Sequence, residues 1–159
     1  MPTKFFCARC NEFVRYVDCP DPKGIGAHKL ICGPNVCADA IVEFRGRIVL
    51  IFRGKANEAG AGTWALPGGY MRYRERCADA AVRETKEESG LDLVSVQFFG
   101  VYDDPQRDTF DDRNNVSLVY TGVGIGELAR EDADGEVSAV RAFVREEIED
   151  LTFGLLDPQ

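Results

Sequence analysis

The sequence lacks any apolar run that approaches the length of a membrane span, and its N-terminus, MPTKFFCARC, lacks the long apolar core of a signal peptide. No stripe of basic residues stands out either, because 27 Asp and Glu against 19 Lys and Arg give a formal net charge of −8. We therefore expect a cytoplasmic protein that contacts neither a membrane nor a nucleic-acid duplex. With 45% hydrophobic residues in 159, the composition excludes wholesale disorder.

The most informative segment is a predicted helix that is rich in glutamate. From about Glu75 to Ser89 the chain has neither Pro nor Gly and consists largely of good helix formers, and Gly90 follows as a natural C-terminal residue. A narrow apolar stripe at helical spacing is formed by Ala78, Ala81, Val82 and Thr85. Three carboxylates at positions i, i+3 and i+4 converge on one face: Glu84, Glu87 and Glu88.

Three like charges packed together repel one another unless a cation neutralises them. Hard oxygen ligands of this kind select Mg²⁺ or Mn²⁺ over zinc. The alternative is a solvated acidic helix face, which is what most glutamate-rich stretches form. A divalent cation would also allow this acidic protein to bind an anionic ligand.

The spacing of the whole segment, GYMRYRERCADAAVRETKEESGL over residues 69–91, resembles the signature of the Nudix hydrolases. The matching positions are Gly69, Glu75, Arg83, Glu84, Glu87, Glu88, Gly90 and Leu91. Thr85 stands where that family usually has Ile, Leu or Val, a mild change on the buried side. The preceding Leu66-Pro67-Gly68-Gly69 is also similar to the family. The resemblance implies an α/β/α sandwich with a mixed β-sheet.

The order of the predicted elements agrees with an α/β or α+β class. Strands are predicted over residues 37–44, 47–52, 63–66, 91–102, 116–123 and 139–144, with a short closing helix over 146–151. Because strands and helices interleave, we expect a mixed sheet. Residues 1–34 differ from the rest of the chain in composition, because they hold most of the cysteines. We interpret them as a small Cys-rich segment before a Nudix domain over 35–159.

The resemblance also implies roles for the signature residues. Mg²⁺ or Mn²⁺ would be held by the carbonyl of Gly69 and the carboxylates of Glu84, Glu87 and Glu88. Arg83 would hold a carboxylate in position, and Glu75 would support the loop before the helix or simply place charge at the helix N-terminus. The general base would be Glu87 or Glu136, the latter because an acid before the last strand serves some members of the family.

The cysteines of the N-terminal segment suggest a second metal. Without a secretion signal, six cysteines favour reduced thiols or a metal site over disulfides. The C-x-x-C knuckle in this segment resembles a degenerate form of the zinc ribbon that some Nudix enzymes carry. The preferred zinc ligands are Cys7, Cys10, Cys19 and Cys32, with His28 as another candidate. A vestigial ribbon with free cysteines is the alternative, and Cys77 is interpreted as a small core residue.

Substrate contacts are predicted from two loops. The run YDDPQRD over residues 102–108 resembles the subgroup that hydrolyses ADP-ribose, and it points to Asp104, Pro105 and Arg107. Arg53 ends a strand beside a Gly-rich loop and would meet a phosphate or remain solvated. Trp64 is interpreted mainly as a core aromatic, with base stacking as the alternative.

The substrate predicted by this resemblance is ADP-ribose, hydrolysed to AMP and ribose 5-phosphate, and the family implies a homodimer. Two alternatives remain open: a housecleaning hydrolase of oxidised nucleoside triphosphates, and a nucleotide-sensing module without catalysis.

Overall fold

The computed structural model describes residues 4–7, 12–15, 35–54, 61–104, 115–130, 135–149 and 151, the first two ranges by their backbone alone. Over these ranges the strands are β1 (Lys4–Cys7), β2 (Glu12–Arg15), β3 (Asn35–Phe44), β4 (Arg47–Arg53), β5 (Trp64–Ala65), β6 (Gly68–Tyr70), β7 (Asp92–Tyr102), β8 (Asn115–Ile125) and β9 (Val137–Phe143). The helices are α1 (Cys77–Ser89) and α2 (Arg145–Ile148).

Seven strands form one mixed sheet in the order β5-β4-β3-β8-β7, with β6 paired to β3 and β9 paired to β4. β3 and β8 run parallel, whereas the other pairs among the described strands of this sheet are antiparallel. β1 and β2 form a separate antiparallel pair. The predicted mixed sheet with interleaved helix is confirmed, and the division of the chain at residues 34 and 35 stays a prediction.

The turn between β3 and β4 follows from its two central residues. Arg45 has a φ of 54° and Gly46 a φ of 75°. Positive φ at both positions matches the right-handed twist of two strands joined by two residues, and Gly adopts it without steric cost. The two residues left between the strands predicted over 37–44 and 47–52 therefore form a tight turn.

Helix α1 begins two residues later than the sequence predicted. Arg76 is extended, with φ −84° and ψ 147°, so Glu75 lies in the preceding loop and the first helical residue is Cys77. The helix ends at Gly90, whose φ of 77° is left-handed and whose N–H donates to the carbonyl of Lys86. That C-terminal cap is the one predicted for Gly90.

The buried face of α1 packs on the sheet through small residues. Its buried positions are Ala80, Ala81, Thr85 and Ser89, whereas the predicted Ala78 and Val82 are only half-buried. They face a core made chiefly of Ala38, Ala40, Val42, Phe44, Val49, Leu91 and Leu93. Small residues on both sides allow the helix to approach the strands closely. Thr85 is accommodated because its hydroxyl donates to the carbonyl of Ala81 at 2.7 Å.

Two elements differ from the sequence-based expectation. Residues 68–70, which lie outside every predicted strand, form β6, which pairs with Cys37–Asp39 of β3. The closing helix is reduced to the four residues of α2. Within the described ranges, the structure has no helix of the length and apolar character needed to cross a membrane.

Candidate active site

The candidate site lies where α1 packs against β6. The pairing of β6 with the first half of β3 brings two consecutive glycines against the acidic face of the helix. The N–H of Gly68 donates to the Glu88 carboxylate at 2.8 Å. A Cβ at Gly69 would lie 2.7 Å from an oxygen of Glu84, closer than such atoms approach in real proteins. Glycine at position 69 therefore lets the backbone and this carboxylate lie side by side.

Glu88 sits in an environment that disfavours its charge. Burial raises the pKa of Glu88 well above its ordinary value of 4.5, and the neighbouring carboxylates of Glu84 and Asp39 raise this pKa further. The Gly68 N–H and the guanidinium of Arg53 act in the opposite direction without cancelling it. A carboxylate in this situation is stabilised by a nearby cation.

Glu84 resembles Glu88 in burial but has an arginine beside it. Burial raises the pKa of Glu84, and the hydrogen bond from Arg83 partly opposes that shift. The Arg83 Nη1 to Glu84 Oε1 distance is 2.6 Å, and only 14% of the Glu84 side chain is exposed.

Arg83 connects three carboxylates of the site. Its Nε and Nη2 donate to the two oxygens of Glu75 at 2.7 and 3.0 Å, a bidentate pair. Its Nη1 donates to Glu84 and, at 2.8 Å, to Glu87. Its Nη2 also donates to the carbonyl of Tyr70 at 3.1 Å. The planar guanidinium suits several fixed acceptors at once, so Arg83 holds the loop and the helix in one arrangement.

The loop before α1 is closed by Glu75 and Arg72. The N–H of Arg72 donates to Glu75 Oε2 at 2.7 Å, and the N–H of Glu75 donates to the Arg72 carbonyl at 3.1 Å. The hydrogen bond from Arg83 is the main reason that the pKa of Glu75 is lowered. The Arg72 guanidinium donates to both oxygens of Glu87, at 3.1 and 3.3 Å.

Three further predicted site residues, Arg53, Glu136 and Asp104, lie on segments outside α1 and β6. Arg53, at the end of β4, is near enough to Glu88 to lower its pKa, as stated above. Its neighbour Gly54 donates through its N–H to the carbonyl of Glu136 at 2.7 Å, so the segment before β9 lies beside Arg53. The Glu136 side chain is exposed there, and Asp104 is exposed just beyond β7.

Several predicted site residues are not among those that the structure describes. They are Pro105 and Arg107 and, for their side chains, the zinc candidates Cys7, Cys10, Cys19 and Cys32. The zinc site stays a prediction.

Trp64 packs edge-on against Phe52 and Phe143, with ring centroids 5.1 and 4.7 Å away, which agrees with its interpretation as a core aromatic.

The sequence reasoning missed Arg72, Asp39 and Tyr70. Only Arg72 had an available signal, since it is a basic residue inside the five-residue interval of the signature.

The donor set fits a hard divalent cation. Glu84 lies against Gly69 and Glu88 accepts from the N–H of Gly68, while Glu87 lies on the same helix face, and burial is the main cause of the raised pKa of Glu88. In the described ranges, no three His, Cys, Asp or Glu side chains are already arranged around a common metal position. Instead, Glu84 and Glu87 are turned to Arg83, and Glu88 to the Gly68 N–H.

The mixed sheet and the glutamate-rich helix packed against two consecutive glycines define an acidic site on an α/β fold. Comparison with known proteins identifies the family. The NUDIX domain model matches residues 33–157, and the chain therefore belongs to the NUDIX family.

Two relatives show how close the match is. An ADP-ribose pyrophosphatase from Methanocaldococcus jannaschii is 36% identical over 105 residues, which are 66% of this chain and 60% of that protein. The chain thus spans less than two thirds of that relative. The crystal structure of a MutT NUDIX hydrolase from Burkholderia pseudomallei is 32% identical, with a TM-score of 0.64, and the match covers 79% of this chain and 92% of that one.

A third similarity concerns the fold alone. The NUDIX domain of Shewanella oneidensis NrtR, solved with ADP ribose, has a TM-score of 0.66 at 18% identity and is covered over 88% of both chains.

Proposed function

We propose that this chain is a Mg²⁺- or Mn²⁺-dependent pyrophosphohydrolase of nucleoside diphosphates linked to a second group, with ADP-ribose as the favoured substrate. Water would add across the diphosphate linkage to give AMP and ribose 5-phosphate. The observation that carries the proposal is the Glu88 carboxylate, whose pKa is raised by burial, beside Glu84 at the Gly68-Gly69 backbone. The similarity to a protein named ADP-ribose pyrophosphatase supports the choice of substrate.

The residues have separate tasks in this proposal. Glu84, Glu87, Glu88 and the carbonyl of Gly69 would hold the cation. When bound, the cation supplies positive charge against the diphosphate and Lewis acidity toward the attacking water. Arg83 keeps Glu84 and Glu75 in place through the hydrogen bonds described above. Arg53, exposed Asp104, and Pro105 and Arg107 of the following loop are the proposed substrate contacts.

The proton of the attacking water needs an acceptor, and we assign it to Glu136, with Glu87 as the next candidate. The backbone contact between Gly54 and Glu136 keeps this segment next to Arg53 and hence next to the Glu88 side of the cluster. In this proposal the exposed Glu136 carboxylate reaches water held at the site from this segment, as a general base requires.

The test is a substrate screen with Mg²⁺, Mn²⁺ and EDTA, in which chromatography identifies the products. The panel contains ADP-ribose, other nucleoside diphosphate derivatives and an oxidised dGTP. AMP and ribose 5-phosphate formed from ADP-ribose only when a cation is present would support the proposal. A monophosphate from oxidised dGTP as the best reaction would indicate the housecleaning alternative. Tight ADP-ribose binding with no product would indicate a nucleotide sensor.

The proposed zinc ribbon is tested on the same preparation. If Cys7, Cys10, Cys19 and Cys32 bind zinc, elemental analysis should give about one zinc per chain, because a four-ligand structural site holds a single ion. The Cys7→Ser variant should then lose that zinc. A stable, zinc-free wild type would favour the vestigial ribbon.

A further inference from the structure

Glu87 differs from Glu84 and Glu88, the other two proposed cation ligands on α1, because both of its oxygens already face guanidinium groups. Arg83 donates to Oε2 at 2.8 Å, and Arg72 donates to Oε1 at 3.1 Å and to Oε2 at 3.3 Å. A cation that binds Glu87 must share this carboxylate with two arginines. The ease with which each arginine can move away from Glu87 therefore affects the cation concentration at which the site fills.

The two arginines are held very differently. Arg83 is only 16% exposed and makes further hydrogen bonds to Glu75, Glu84 and the Tyr70 carbonyl, so it has a fixed position whether or not it keeps Glu87. The Arg72 side chain is 45% exposed, and among the residues described its guanidinium hydrogen-bonds Glu87 alone. An ion pair with this exposure contributes little to stability, because solvent screens it, so its loss costs little.

The backbone of Arg72, in contrast, is well anchored. Its N–H donates to Glu75 and its carbonyl accepts from the Glu75 N–H. Glu75 in turn is fixed by the bidentate pair with Arg83. The guanidinium of Arg72 therefore stays within reach of Glu87 even after it withdraws, and it can return when the cation leaves.

We propose that Arg72 is a displaceable counter-ion of Glu87, which neutralises this carboxylate in the metal-free protein and competes with the incoming divalent cation. Arg72 then sets the cation concentration at which the site fills. The inference rests on the proposed function, because it requires Glu87 to be part of the cation site. Arg72 acts here as a positioning and competing residue and does not touch the reacting atoms.

The experiment measures Mn²⁺ binding without substrate, from the electron paramagnetic resonance signal of free Mn²⁺ at low ionic strength. Removal of the competitor in Arg72→Ala should lower the Mn²⁺ dissociation constant about two- to fivefold, given the worth of an exposed ion pair. Arg72→Lys, which retains the charge, should bind like the wild type. The gain should diminish as salt is added, because exposed charges are screened.

Two controls separate competition from a general loss of positive charge. Arg74→Ala removes a charge two residues away in the same loop, where the guanidinium stacks 5.2 Å from the Tyr73 ring, and it should leave the dissociation constant unchanged. In a Glu87→Gln background, Arg72→Ala should give no more gain than Arg74→Ala, because the residue through which it acts is gone.

An Arg72→Ala variant with unchanged or weaker Mn²⁺ binding would overturn the inference, as would an equal gain in Arg74→Ala or a full gain in the Glu87→Gln background. Such results would leave the proposed function intact if the wild type binds Mn²⁺ and Glu88→Gln weakens that binding. A wild-type protein that binds no Mn²⁺ would overturn both. Circular dichroism and thermal unfolding of each variant verify that the fold is retained.

Discussion

The acidic cluster has two sides, and the pKa of a glutamate is lowered on one side and raised on the other. On the loop side, Glu75 faces Arg83 and the backbone of Arg72, and its pKa is lowered. On the sheet side, Glu88 faces Gly68, and its pKa is raised mainly by burial. Both glutamates belong to one signature, yet Glu75 accepts two hydrogen bonds from the Arg83 guanidinium, whereas Glu88 accepts from the backbone N–H of Gly68.

This difference indicates which part of the cluster is structural and which part needs a ligand. The loop side is complete without any added group, since its hydrogen bonds fix the start of α1. The sheet side has the carboxylates of Glu84 and Glu88, and burial raises the pKa of both. In the proposed function, the cation and diphosphate bind on the sheet side, and the loop side holds the ligands in place.

The largest effect is expected from Glu88→Gln, which keeps the shape of the side chain and removes its charge. If the sheet side holds the cation, kcat should fall by roughly a thousandfold, since metal assistance is worth several kcal/mol and each 1.36 kcal/mol is tenfold. Steady-state kinetics with ADP-ribose and Mg²⁺ measure this.

Asp92→Asn provides a matched control for Glu88→Gln. It makes the same carboxylate-to-amide change at an exposed residue that pairs with Lys86 just beyond the end of α1. Its kinetics should be those of the wild type. Near-normal turnover of Glu88→Gln would contradict the assignment of the sheet side as the cation site.

A smaller effect is expected from Glu136→Gln, which tests whether the sheet side also contains the general base. Loss of the base should lower kcat by about a hundredfold, the low end for general-base catalysis, with little change in KM. Glu131→Gln, in the same acidic stretch of the sequence, should behave like the wild type. If kcat of Glu136→Gln is unaffected, the base must be sought on α1, with Glu87 as the first candidate.

The sequence predicted those parts of the site whose signals are local. The acidic face of α1 follows from the spacing of three glutamates within one helix, and its C-terminal end follows from Gly90. β6 was missed because Gly68-Gly69 favours a turn, and these residues become a strand only through pairing with Cys37–Asp39.

The carboxylates that pair with Arg72 and Arg83 could not be predicted either, because tertiary structure decides these contacts too. Arg72 pairs with Glu87, 15 residues later, and Arg83 pairs with Glu75, eight residues earlier. Long charged side chains choose among several acceptors, and tertiary structure decides which acceptor is near. Helical spacing places both Asp79 and Glu87 four residues from Arg83, and the structure pairs Arg83 with Glu87 at 2.8 Å, but this spacing does not indicate Glu75 as the bidentate partner.

The loop side is tested by Arg83→Lys. Lysine retains the charge but cannot make the bidentate pair with Glu75 while also donating to Glu84 and the Tyr70 carbonyl. Loss of charge-assisted hydrogen bonds should lower the free energy of unfolding by about 1.5–3 kcal/mol, measured by urea denaturation. Arg74→Lys in the same loop should leave it unchanged. Unaltered stability in Arg83→Lys would show that the loop side is not held by this guanidinium.

The smallest effect, and the most direct test of the comparison, is the pH dependence of stability in EDTA. The lowered pKa of Glu75 means that its contribution to stability is present above its ordinary pKa of 4.5 and is lost as pH falls through the lowered value. Glu75→Gln should therefore reduce Tm at neutral pH, and the deficit should close in acid.

Glu88 should have the opposite slope. Because its pKa is raised, the folded protein binds the proton more tightly than the unfolded chain, so stability falls as pH rises from 4.5 through the raised value. Glu88→Gln avoids this loss, and it should raise Tm at neutral pH by about 2–4 °C if the difference is near 1 kcal/mol. Thermal unfolding of both variants from acid to neutral pH measures the two slopes. Parallel slopes would mean that the two sides of the cluster share one electrostatic environment. If a bound cation stabilises the sheet side, excess Mg²⁺ should cancel the rise in Tm that Glu88→Gln gives at neutral pH.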